Sequence, residues 1–235
     1  MDKEYYQLPP RIGESEQSRH EAPRRMVVLG ANGAGKSRFA HRLADDMEPA
    51  RVFELSALKA LFDRDATSGR EASVDVQYAK AVEAGMPTRQ RPNELERVMA
   101  LMMRREMQSL LTYKVRHASD ASATLPDTQL DSVIAMWQEL FPDSRIMVAD
   151  GEMLFAGSQE DDDGAYAATK LSTGERAVLY YLAAVTFAPL NATVIVDSPE
   201  SFLHPSIMRG VWARVEQLRP DCRMVYVTNS LEFAT

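Results

Sequence analysis

The residues with the clearest chemistry form a glycine-rich octapeptide, Gly-Ala-Asn-Gly-Ala-Gly-Lys-Ser, at positions 30–37. The pattern Gly-x4-Gly-Lys-Ser/Thr is that of a phosphate-binding loop, in which glycines let the backbone curl so that several N–H groups face one anion. In such a loop Lys36 reaches the β- and γ-phosphates of a nucleotide, and the Ser37 hydroxyl is a ligand of Mg²⁺. A surface turn with an accidental lysine is the alternative.

The sequence around the octapeptide predicts the strand and the helix that such a loop needs. The apolar run 26–29 indicates a strand, and residues 38–47 indicate a helix. That helix would add the positive end of its dipole to the anion site. Because strand, turn and helix follow in this order, the context favours the phosphate loop. We expect nucleotide contacts from Asn32, Gly33, Ala34, Gly35, Lys36, Ser37 and Arg38.

An acidic residue in the second half of the chain follows a buried strand. Residues 192–196 are apolar and β-branched, as is typical of a parallel strand buried on both faces, and Asp197 comes next. Open α/β sheets bind ligands at the carboxyl ends of their strands, so we expect Asp197 to hold Mg²⁺ opposite Ser37. A helix cap is its alternative role. Residues 223–227 predict a further buried strand that ends at the same edge, before Asn229.

Composition limits the kind of protein that carries these residues. The 235 residues fit one large domain or one domain with an insertion. The formal net charge of −7 argues against a wholly nucleic-acid-binding surface, although it allows a local basic patch. The one cysteine, Cys222, suits a reducing cytosol and lies beside an apolar run, which indicates a structural thiol. Residues 1–25 lack the apolar core of a signal peptide and no run is long enough to span a membrane, so we expect a cytoplasmic protein.

The region from about 74 to 141 looks like a helical insert between the two halves. Asn93 and Glu96 form a capping-box pattern, and apolar residues then recur at helical spacing as far as Val115. The methionines among them indicate core packing rather than a ligand site. We expect the insert to bind a partner or to act as a lid. Its basic residues predict a solvated face, with nucleic-acid contact as the alternative: Arg97, Arg104, Arg105, Lys114 and Arg116.

Shorter elements are predicted on either side of the insert. Residues 1–24 are polar and interrupted by prolines, which predicts an extended or mobile leader with one edge strand. Its Tyr5 and Tyr6 either stack on an adenine ring or dock the terminus. Residues 52–55 indicate a short strand. Two alternating runs joined by Asp150 and Gly151 predict a β-hairpin, because Asp-Gly favours a tight turn.

Three motifs, in this order, resemble those of an ABC-type ATPase head of the group that includes OLD-family and bacterial defence ATPases and SMC and RecF-like heads. They are the phosphate loop 30–37, a Leu-Ser-Thr-Gly-Glu signature at 171–175, and Asp197 followed by Pro-Glu-x-x-Leu-His-Pro at 199–205. The resemblance implies an α/β P-loop NTPase fold, with an ABC-ATPase-like core sheet flanked by helices and the inserted helical region. It also implies ATP and Mg²⁺ as cofactors.

The same resemblance implies partners. In this family the signature of one subunit closes on the γ-phosphate held by another, which implies a homodimer or a higher homo-oligomer. The residues expected to act in trans are Ser172, Thr173, Gly174 and Glu175. Residues 25–235 would form the ATP-binding domain after the leader, and any effector is expected to be a separate protein. No glutamine-loop residue can be assigned among Gln77, Gln90 and Gln108.

Two positions depart from the family pattern. The family has Glu after the strand aspartate, to orient or deprotonate the attacking water, whereas Ser198 cannot act as a base. It has His in the last-strand motif, where Asn229 can hydrogen-bond but cannot carry a proton. Hydrolysis is therefore expected to be slow while binding is intact, and turnover is an open question. Asp197, Ser198, Glu200 and Asn229 are the candidate catalytic positions, with Glu200 as either a substitute base or a structural residue.

These observations predict an ATP-dependent dimerising switch or sensor, and the resemblance implies a role in anti-phage defence with a separately encoded effector. One alternative is a DNA-repair or chromosome-maintenance head whose arginine-bearing helix meets DNA. The other is an ATP-bound scaffold with little or no hydrolysis.

Overall fold

Strands and helices alternate along the chain in the computed structural model, which describes residues 5–8, 18–62, 78, 93–157 and 164–235. The first part of the predicted insert, Tyr78 excepted, lies outside these ranges, as do Gln77 and Gln90. In chain order the elements are β1 (Tyr5–Leu8), β2 (Ser18–Glu21), β3 (Arg25–Leu29), α1 (Lys36–Asp45), β4 (Val52–Leu55), α2 (Ala57–Phe62), α3 (Glu94–Ser119), α4 (Gln129–Leu140), β5 (Ser144–Ala149), β6 (Glu152–Gly157), β7 (Tyr166–Ala167), α5 (Thr173–Val185), β8 (Thr193–Asp197), α6 (Pro205–Leu218), β9 (Arg223–Thr228) and α7 (Leu231–Ala234).

The central sheet has the strand order β3-β9-β8-β4, and every neighbouring pair is parallel. Leu29 at the end of β3 lies opposite Thr228, and Asp197 at the end of β8 lies opposite Val227. The carboxyl ends of these strands therefore meet at one edge, where α/β sheets place their ligands. The α/β P-loop fold class predicted from the sequence is confirmed by this parallel sheet with its helices.

Helices cover both faces of this sheet. Successive side chains of a strand point to opposite faces, and here the side chains on both faces are apolar. Ile195 packs with α1 on one face, whereas Val194 and Val196 pack with α5 and α6 on the other. Helix α5 is buried at every position from Ala177 to Val185, which explains its continuous apolar sequence. No helix within the described ranges is both long and apolar enough to cross a membrane.

Helix α3 begins as its sequence predicts and then leaves the core. The Asn93 side chain accepts a hydrogen bond from the Glu96 N–H, and the Glu96 carboxylate accepts one from the Asn93 N–H, both at 2.9 Å. Met102 is buried with the first half of the helix, on the same core as α5. Met107 and Val115 are 55% and 71% exposed, so the predicted core packing is wrong for the second half of the stripe. The division of the chain into leader, domain and insert stays a prediction.

The leader contributes more structure than the single edge strand predicted for it. Strands β1 and β2 pair as an antiparallel hairpin. Tyr6 is 1% exposed and its hydroxyl lies 3.2 Å from the Thr193 hydroxyl, so it docks the hairpin on the sheet and cannot stack on adenine. The predicted hairpin of β5 and β6 is confirmed, with Asp150 and Gly151 at φ 51° and 78° in its turn.

Arg219 holds the carboxyl end of α5. The residue is 8% exposed, and its guanidinium donates to the carbonyl oxygens of Val185 at 3.1 Å and Pro189 at 2.7 Å. It also donates to both carboxylate oxygens of Asp221, at 2.9 and 2.8 Å. Asp221 accepts a further hydrogen bond from the Asn191 N–H. The hydrogen bonds to Arg219 hold the pKa of Asp221 well below its usual range. The cluster thus satisfies carbonyls that the helix end leaves without a partner in the helix.

Cys222 follows this cluster and is 1% exposed, as expected for a structural thiol. Burial raises the pKa of its thiol to about 11, which keeps it protonated near neutral pH.

Candidate nucleotide site

The glycine-rich segment connects β3 to α1 as a tight loop. Gly33 and Gly35 have φ of 78° and 89°, a left-handed conformation that strains residues with a Cβ. The Gly30 N–H donates to the Thr228 carbonyl oxygen at 3.3 Å, so the loop starts against the end of β9. The predicted strand and helix around the octapeptide are both present, with the helix starting at Lys36.

The amino terminus of α1 differs from those of α3, α4 and α5. Each of these three begins with a capping box and an acidic residue in its first turn. Helix α1 has Gly35 as its N-cap residue, with no side-chain cap from the described residues and no acidic residue in its first turn. Its first N–H groups and dipole therefore suit an anion, and Lys36 Nζ folds back onto the loop at 2.9 Å from the Ala31 carbonyl oxygen. These features fit a phosphate group.

Asp197 ends β8 at the same sheet edge and is half-buried. Mg²⁺ in nucleotide sites is usually held by one or two carboxylates together with phosphate oxygens and water. Asp197 and the Ser37 hydroxyl are of the right chemical type for that role. Within the described ranges no group of three or more His, Cys, Asp or Glu side chains is arranged to hold a metal ion.

Ser198 continues from Asp197 in an unusual backbone conformation. Its φ is 55°, in the left-handed region, and its N–H donates to the Val227 carbonyl oxygen at 2.8 Å. Its hydroxyl lies 3.4 Å from Asp197 Oδ1. A left-handed conformation costs a residue with a Cβ roughly 1–2 kcal/mol. The hydrogen bond to β9 holds Ser198 in this conformation despite that cost. The Ser198 hydroxyl supplies no base at this position.

Glu200 connects the segment after β8 to the end of β9. Its Oε2 accepts a hydrogen bond from the Thr228 hydroxyl at 2.7 Å, and the Thr228 Oγ1 accepts one from the Ser230 N–H at 2.9 Å. Thr228 is 1% exposed. The buried link favours the structural role for Glu200 over that of a substitute base.

Asn229 contacts the phosphate loop directly. Its Nδ2 donates to Asn32 Oδ1 at 2.8 Å, across 197 positions of sequence. The sequence placed Asn229 on the correct edge, but it held no signal for this partner. The contact joins the end of β9 to a loop residue that is expected to touch ATP.

The signature segment begins α5 and caps it. The Ser172 hydroxyl accepts a hydrogen bond from the Glu175 N–H at 3.2 Å, and the Glu175 carboxylate accepts one from the Ser172 N–H at 2.8 Å. Ser172 itself is exposed. The sequence carries the signal for this capping box, which is Ser followed three residues later by Glu. The prediction for 171–175 did not include it. Ser172 and Glu175 thus stabilise the helix within their own chain.

Gly174 lies against the loop that follows Asp197. A Cβ at this position would be 3.0 Å from the Phe202 carbonyl oxygen, and Phe202 itself has a φ of 64°. A side chain at this position would therefore require the Phe202 backbone to shift by a few tenths of an ångström. The contact fixes the start of the signature helix relative to the carboxyl end of β8.

We expect Gly174→Ala to lower the free energy of unfolding by ~1–3 kcal/mol, because the new methyl group forces backbone apart. The matched control is Gly210→Ala in α6. There the nearest obstacle to a Cβ is the tip of the Leu140 side chain at 3.3 Å, which can move. Alanine also suits a helix interior better than glycine. Urea unfolding of both variants checks the prediction, and equal free energies would contradict it.

Two buried tyrosines of α5 lie next to the candidate site, and the sequence did not identify them as part of it. Burial raises the pKa of Tyr181 strongly, and the negative charges of Glu200 and Asp197 raise it further, so its hydroxyl stays protonated beneath the site. The Tyr180 hydroxyl donates to Glu94 Oε1 at 2.9 Å, and burial followed by Glu94 raises its pKa well above the usual value. Glu94 is 7% exposed at the start of α3, so this bond joins α3 to the signature helix.

Comparison with known proteins gives limited likeness. No protein-family model and no curated protein matches the chain. An SMC head, solved bound to the C-winged helix domain of ScpA, aligns with 60% of the chain at 10% identity and a TM-score of 0.37, and the chain spans 42% of that structure. A chain described as a metal-chelate type ABC transporter in an inward-facing conformation aligns with 98% of the chain and 74% of its own length, at 15% identity and a TM-score of 0.41. Likeness at this level carries no argument about function.

Proposed function

We propose that the chain is an ABC-type ATPase head that binds Mg²⁺·ATP at residues 30–38 and Asp197. The observation that carries the proposal is the loop itself. Two left-handed glycines lead into a helix start without a cap or an acid, at the sheet edge where β8 ends in Asp197. This arrangement suits a phosphate chain and leaves a carboxylate for its metal.

Each residue of the site has a distinct task in this proposal. Backbone N–H groups of the loop and the first turn of α1 bind the β-phosphate, and the Lys36 ammonium neutralises charge on the β- and γ-phosphates. Ser37 and Asp197 hold Mg²⁺, which neutralises further phosphate charge when it is bound. Asn229 hydrogen-bonds to Asn32 and so holds the end of β9 against the loop.

A second copy of the chain completes the site from its signature helix. The Ser172 Oγ accepts a hydrogen bond from within its own chain, which leaves the hydroxyl proton for a phosphate oxygen. The residue is exposed, so a nucleotide held by the other copy can reach its hydroxyl. ATP thereby brings two heads together, and the protein acts as an ATP-dependent dimerising switch or sensor.

Slow turnover follows from the residues near Asp197. Ser198 cannot act as a base, and the Asn229 amide cannot transfer a proton. The Glu200 carboxylate accepts a hydrogen bond from the buried Thr228. Since phosphoryl transfer depends on the positioning of the attacking water, such a site retains ATP for long periods. The biological setting that we propose, anti-phage defence in the cytoplasm with a separate effector, rests on the motif resemblance.

The DNA-binding alternative has weaker support from α3. The Arg105 guanidinium lies 4.0 Å from the centre of the Phe187 ring and donates to Gln129 Oε1 at 2.7 Å, so it has a structural role. Lys114 and Arg116 are exposed. Duplex DNA binding that falls steeply with salt would favour this alternative.

The dimerisation step is tested by the mass of the protein in solution. Light scattering after gel filtration, with and without Mg²⁺·ATP, should show a dimer only with nucleotide. Ser172→Ala should weaken the dimer while ATP still binds each head. A mass that ATP leaves unchanged would contradict the switch.

The catalytic step is tested at Ser198. We expect low phosphate release from the wild type and an increase of about 10-fold or more in Ser198→Glu, because a general base contributes roughly 10²–10⁴-fold and the left-handed backbone limits its alignment. Ser198→Gln is the matched control, of the same size but without a base. Rapid turnover by the wild type would contradict the scaffold alternative, and an equal increase in Ser198→Gln would show that size and not basicity is responsible.

A further inference from the structure

The hydroxyl of Tyr181 in α5 is a buried polar group that the fold leaves unsatisfied. Tyr181 is 0% exposed, and its oxygen makes no hydrogen bond within the described ranges. The backbone N–H of Ala57 acts on this oxygen, but an N–H is a donor and cannot accept the tyrosine proton. Buried hydroxyls without an acceptor destabilise a fold and are rare in native proteins, so this one calls for a functional explanation.

The preceding residue, Tyr180, shows what Tyr181 lacks. The centres of the two rings lie 5.5 Å apart. The backbone N–H of Ser56 acts on the Tyr180 oxygen, just as the next N–H along the chain acts on that of Tyr181. The Tyr180 hydroxyl, however, donates to Glu94 Oε1 at 2.9 Å. Tyr181 thus has a donor beside it and needs an acceptor such as a carboxylate.

Two carboxylates lie on the segment that follows β8, near Tyr181. After burial, the charges of Glu200 and Asp197 are what raise the pKa of its hydroxyl further. The segment is tied to the ring through Trp212, whose ring centre lies 4.6 Å from that of Tyr181 and whose Nε1 donates to the Pro199 carbonyl oxygen at 3.1 Å. Both acidic residues are half-buried. Acceptors of the right kind therefore lie in the neighbourhood of the hydroxyl.

Glu200 also ends a set of contacts that starts at the phosphate loop. Asn32 accepts a hydrogen bond from Asn229, and the adjacent Thr228 donates to Glu200 Oε2 at 2.7 Å. The signature lies at the start of the helix that carries Tyr181. A hydrogen bond from Tyr181 to Glu200 would therefore join the phosphate loop to the signature helix.

Charge explains why this bond would form only with nucleotide. Asp197 and Glu200 are like charges on one short segment, and turning either carboxylate towards a buried hydroxyl removes it from water. In the proposed site the charge of Asp197 is neutralised by the metal that it holds, which lowers the repulsion. Glu200 can then turn inward at a smaller cost.

We propose that Tyr181 is a positioning residue of the nucleotide site. On binding of Mg²⁺·ATP its hydroxyl donates to the Glu200 carboxylate, and this bond fixes the signature helix relative to the phosphate loop. The inference rests on the proposed function, since it needs a nucleotide at residues 30–38 and a metal at Asp197.

The first test uses the nucleotide-free protein. Tyr181→Phe removes a hydroxyl that makes no hydrogen bond, so its urea midpoint should equal or exceed that of the wild type. The matched control is Tyr180→Phe, which takes the tyrosine donor away from the buried Glu94 and should lower the midpoint. A fall in the Tyr181→Phe midpoint below that of the wild type would show that the hydroxyl already has a partner, and would overturn the proposal.

The second test measures the affinity for Mg²⁺·ATP by titration calorimetry. Tyr181→Phe should bind at least about 10-fold more weakly than the wild type, because it cannot form the new hydrogen bond to a charged group. Tyr180→Phe should bind as the wild type does. In a Glu200→Ala background, Tyr181→Phe should have no further effect.

The outcomes of this titration separate the two proposals. Equal affinities of the wild type and Tyr181→Phe, or an undiminished effect in the Glu200→Ala background, would overturn the role of Tyr181 alone. A wild type that does not bind ATP would overturn the proposed function and this inference with it.

A spectroscopic signal distinguishes positioning from a general structural effect. With fluorotyrosine at the eight tyrosines, the fluorine resonance that is missing from Tyr181→Phe belongs to Tyr181. Saturating Mg²⁺·ATP should shift this resonance in the wild type but not in Glu200→Ala. A Tyr181 resonance that nucleotide leaves in place, or that moves equally in both proteins, would contradict the proposed bond.

Discussion

Replacing Lys36 with alanine is expected to weaken ATP binding about 10- to 100-fold and to leave the fold intact. A hydrogen bond to a charged group contributes ~1.5–3 kcal/mol, and in the proposed site Lys36 is the cation that neutralises the phosphates. Its Nζ lies over the loop, 2.9 Å from the Ala31 carbonyl oxygen, and no buried partner would be left unsatisfied by its removal. Titration calorimetry with Mg²⁺·ATP measures the loss.

The matched control for this variant is Lys59→Ala. Lys59 is exposed on α2, away from the glycine-rich loop in sequence, and its removal changes net charge by the same amount. Equal affinities of the two variants would remove the basis of the proposed ATP site.

Replacing Arg219 with methionine is expected to lower the free energy of unfolding by ~1–3 kcal/mol, because carbonyl oxygens at the end of α5 lose their donor. The partner Asp221 is 27% exposed, so water can solvate its carboxylate in the variant. The substitution removes the donors to Val185 and Pro189 and to both oxygens of Asp221. Methionine retains much of the apolar length of the arginine side chain, so the loss reports on the hydrogen bonds. Urea unfolding at neutral pH measures the difference.

Arg209→Met in the neighbouring helix α6 is the control. Arg209 is exposed, and its replacement should change stability by less than about 0.5 kcal/mol. Similar losses in the two variants would show that the Arg219 cluster contributes little.

The same cluster gives a pH dependence with a defined sign. The pKa of Asp221 is lowered in the folded protein, chiefly by its hydrogen bonds to Arg219. A lowered folded pKa means that the contribution is complete above the unfolded value of about 3.9 and is lost as pH falls through the folded value. The stability advantage of the wild type over Asp221→Asn should therefore be constant at neutral pH and shrink below about pH 4. A difference that stays constant into strong acid would contradict the assignment.

The local elements of the site were predictable because their signals lie within a few residues. The glycine pattern predicted the strand, loop and helix, and the β-branched run before Asp197 predicted a buried strand. The Asn93 capping box was found from the same kind of local pattern. Such signals depend on backbone conformation and periodicity, which short segments encode by themselves.

The contacts between elements were not predictable in the same way. The pairs Asn229–Asn32 and Glu200–Thr228 depend on β9 lying between β3 and β8, and no local pattern encodes that order. In the sequence, Tyr181 is one of many residues of an apolar helix. Its place near the carboxylates of Asp197 and Glu200 depends on the sheet.

The apolar stripe of α3 shows the limit of periodicity. Helical spacing correctly predicted that one face is apolar, but it does not reveal what covers that face. Met102 is 1% and Val115 71% exposed, because a separation of thirteen residues places them about 140° apart around the helix and Val115 faces away from the core that holds Met102. Burial is a property of the neighbours, and periodicity describes only the element itself.

The position of β9 in the sheet has a consequence for the order in which the molecule can be made. Strand β3 pairs with β9, and β9 begins at Arg223 whereas β3 begins at Arg25. On the ribosome, β3 and its glycine-rich loop must wait until all the residues between Leu29 and Arg223 have been made before their hydrogen-bonding partner emerges. The proposed nucleotide site is therefore completed only once β9 has emerged, and a shorter nascent chain has no finished site at which nucleotide could hold it in a partly folded state.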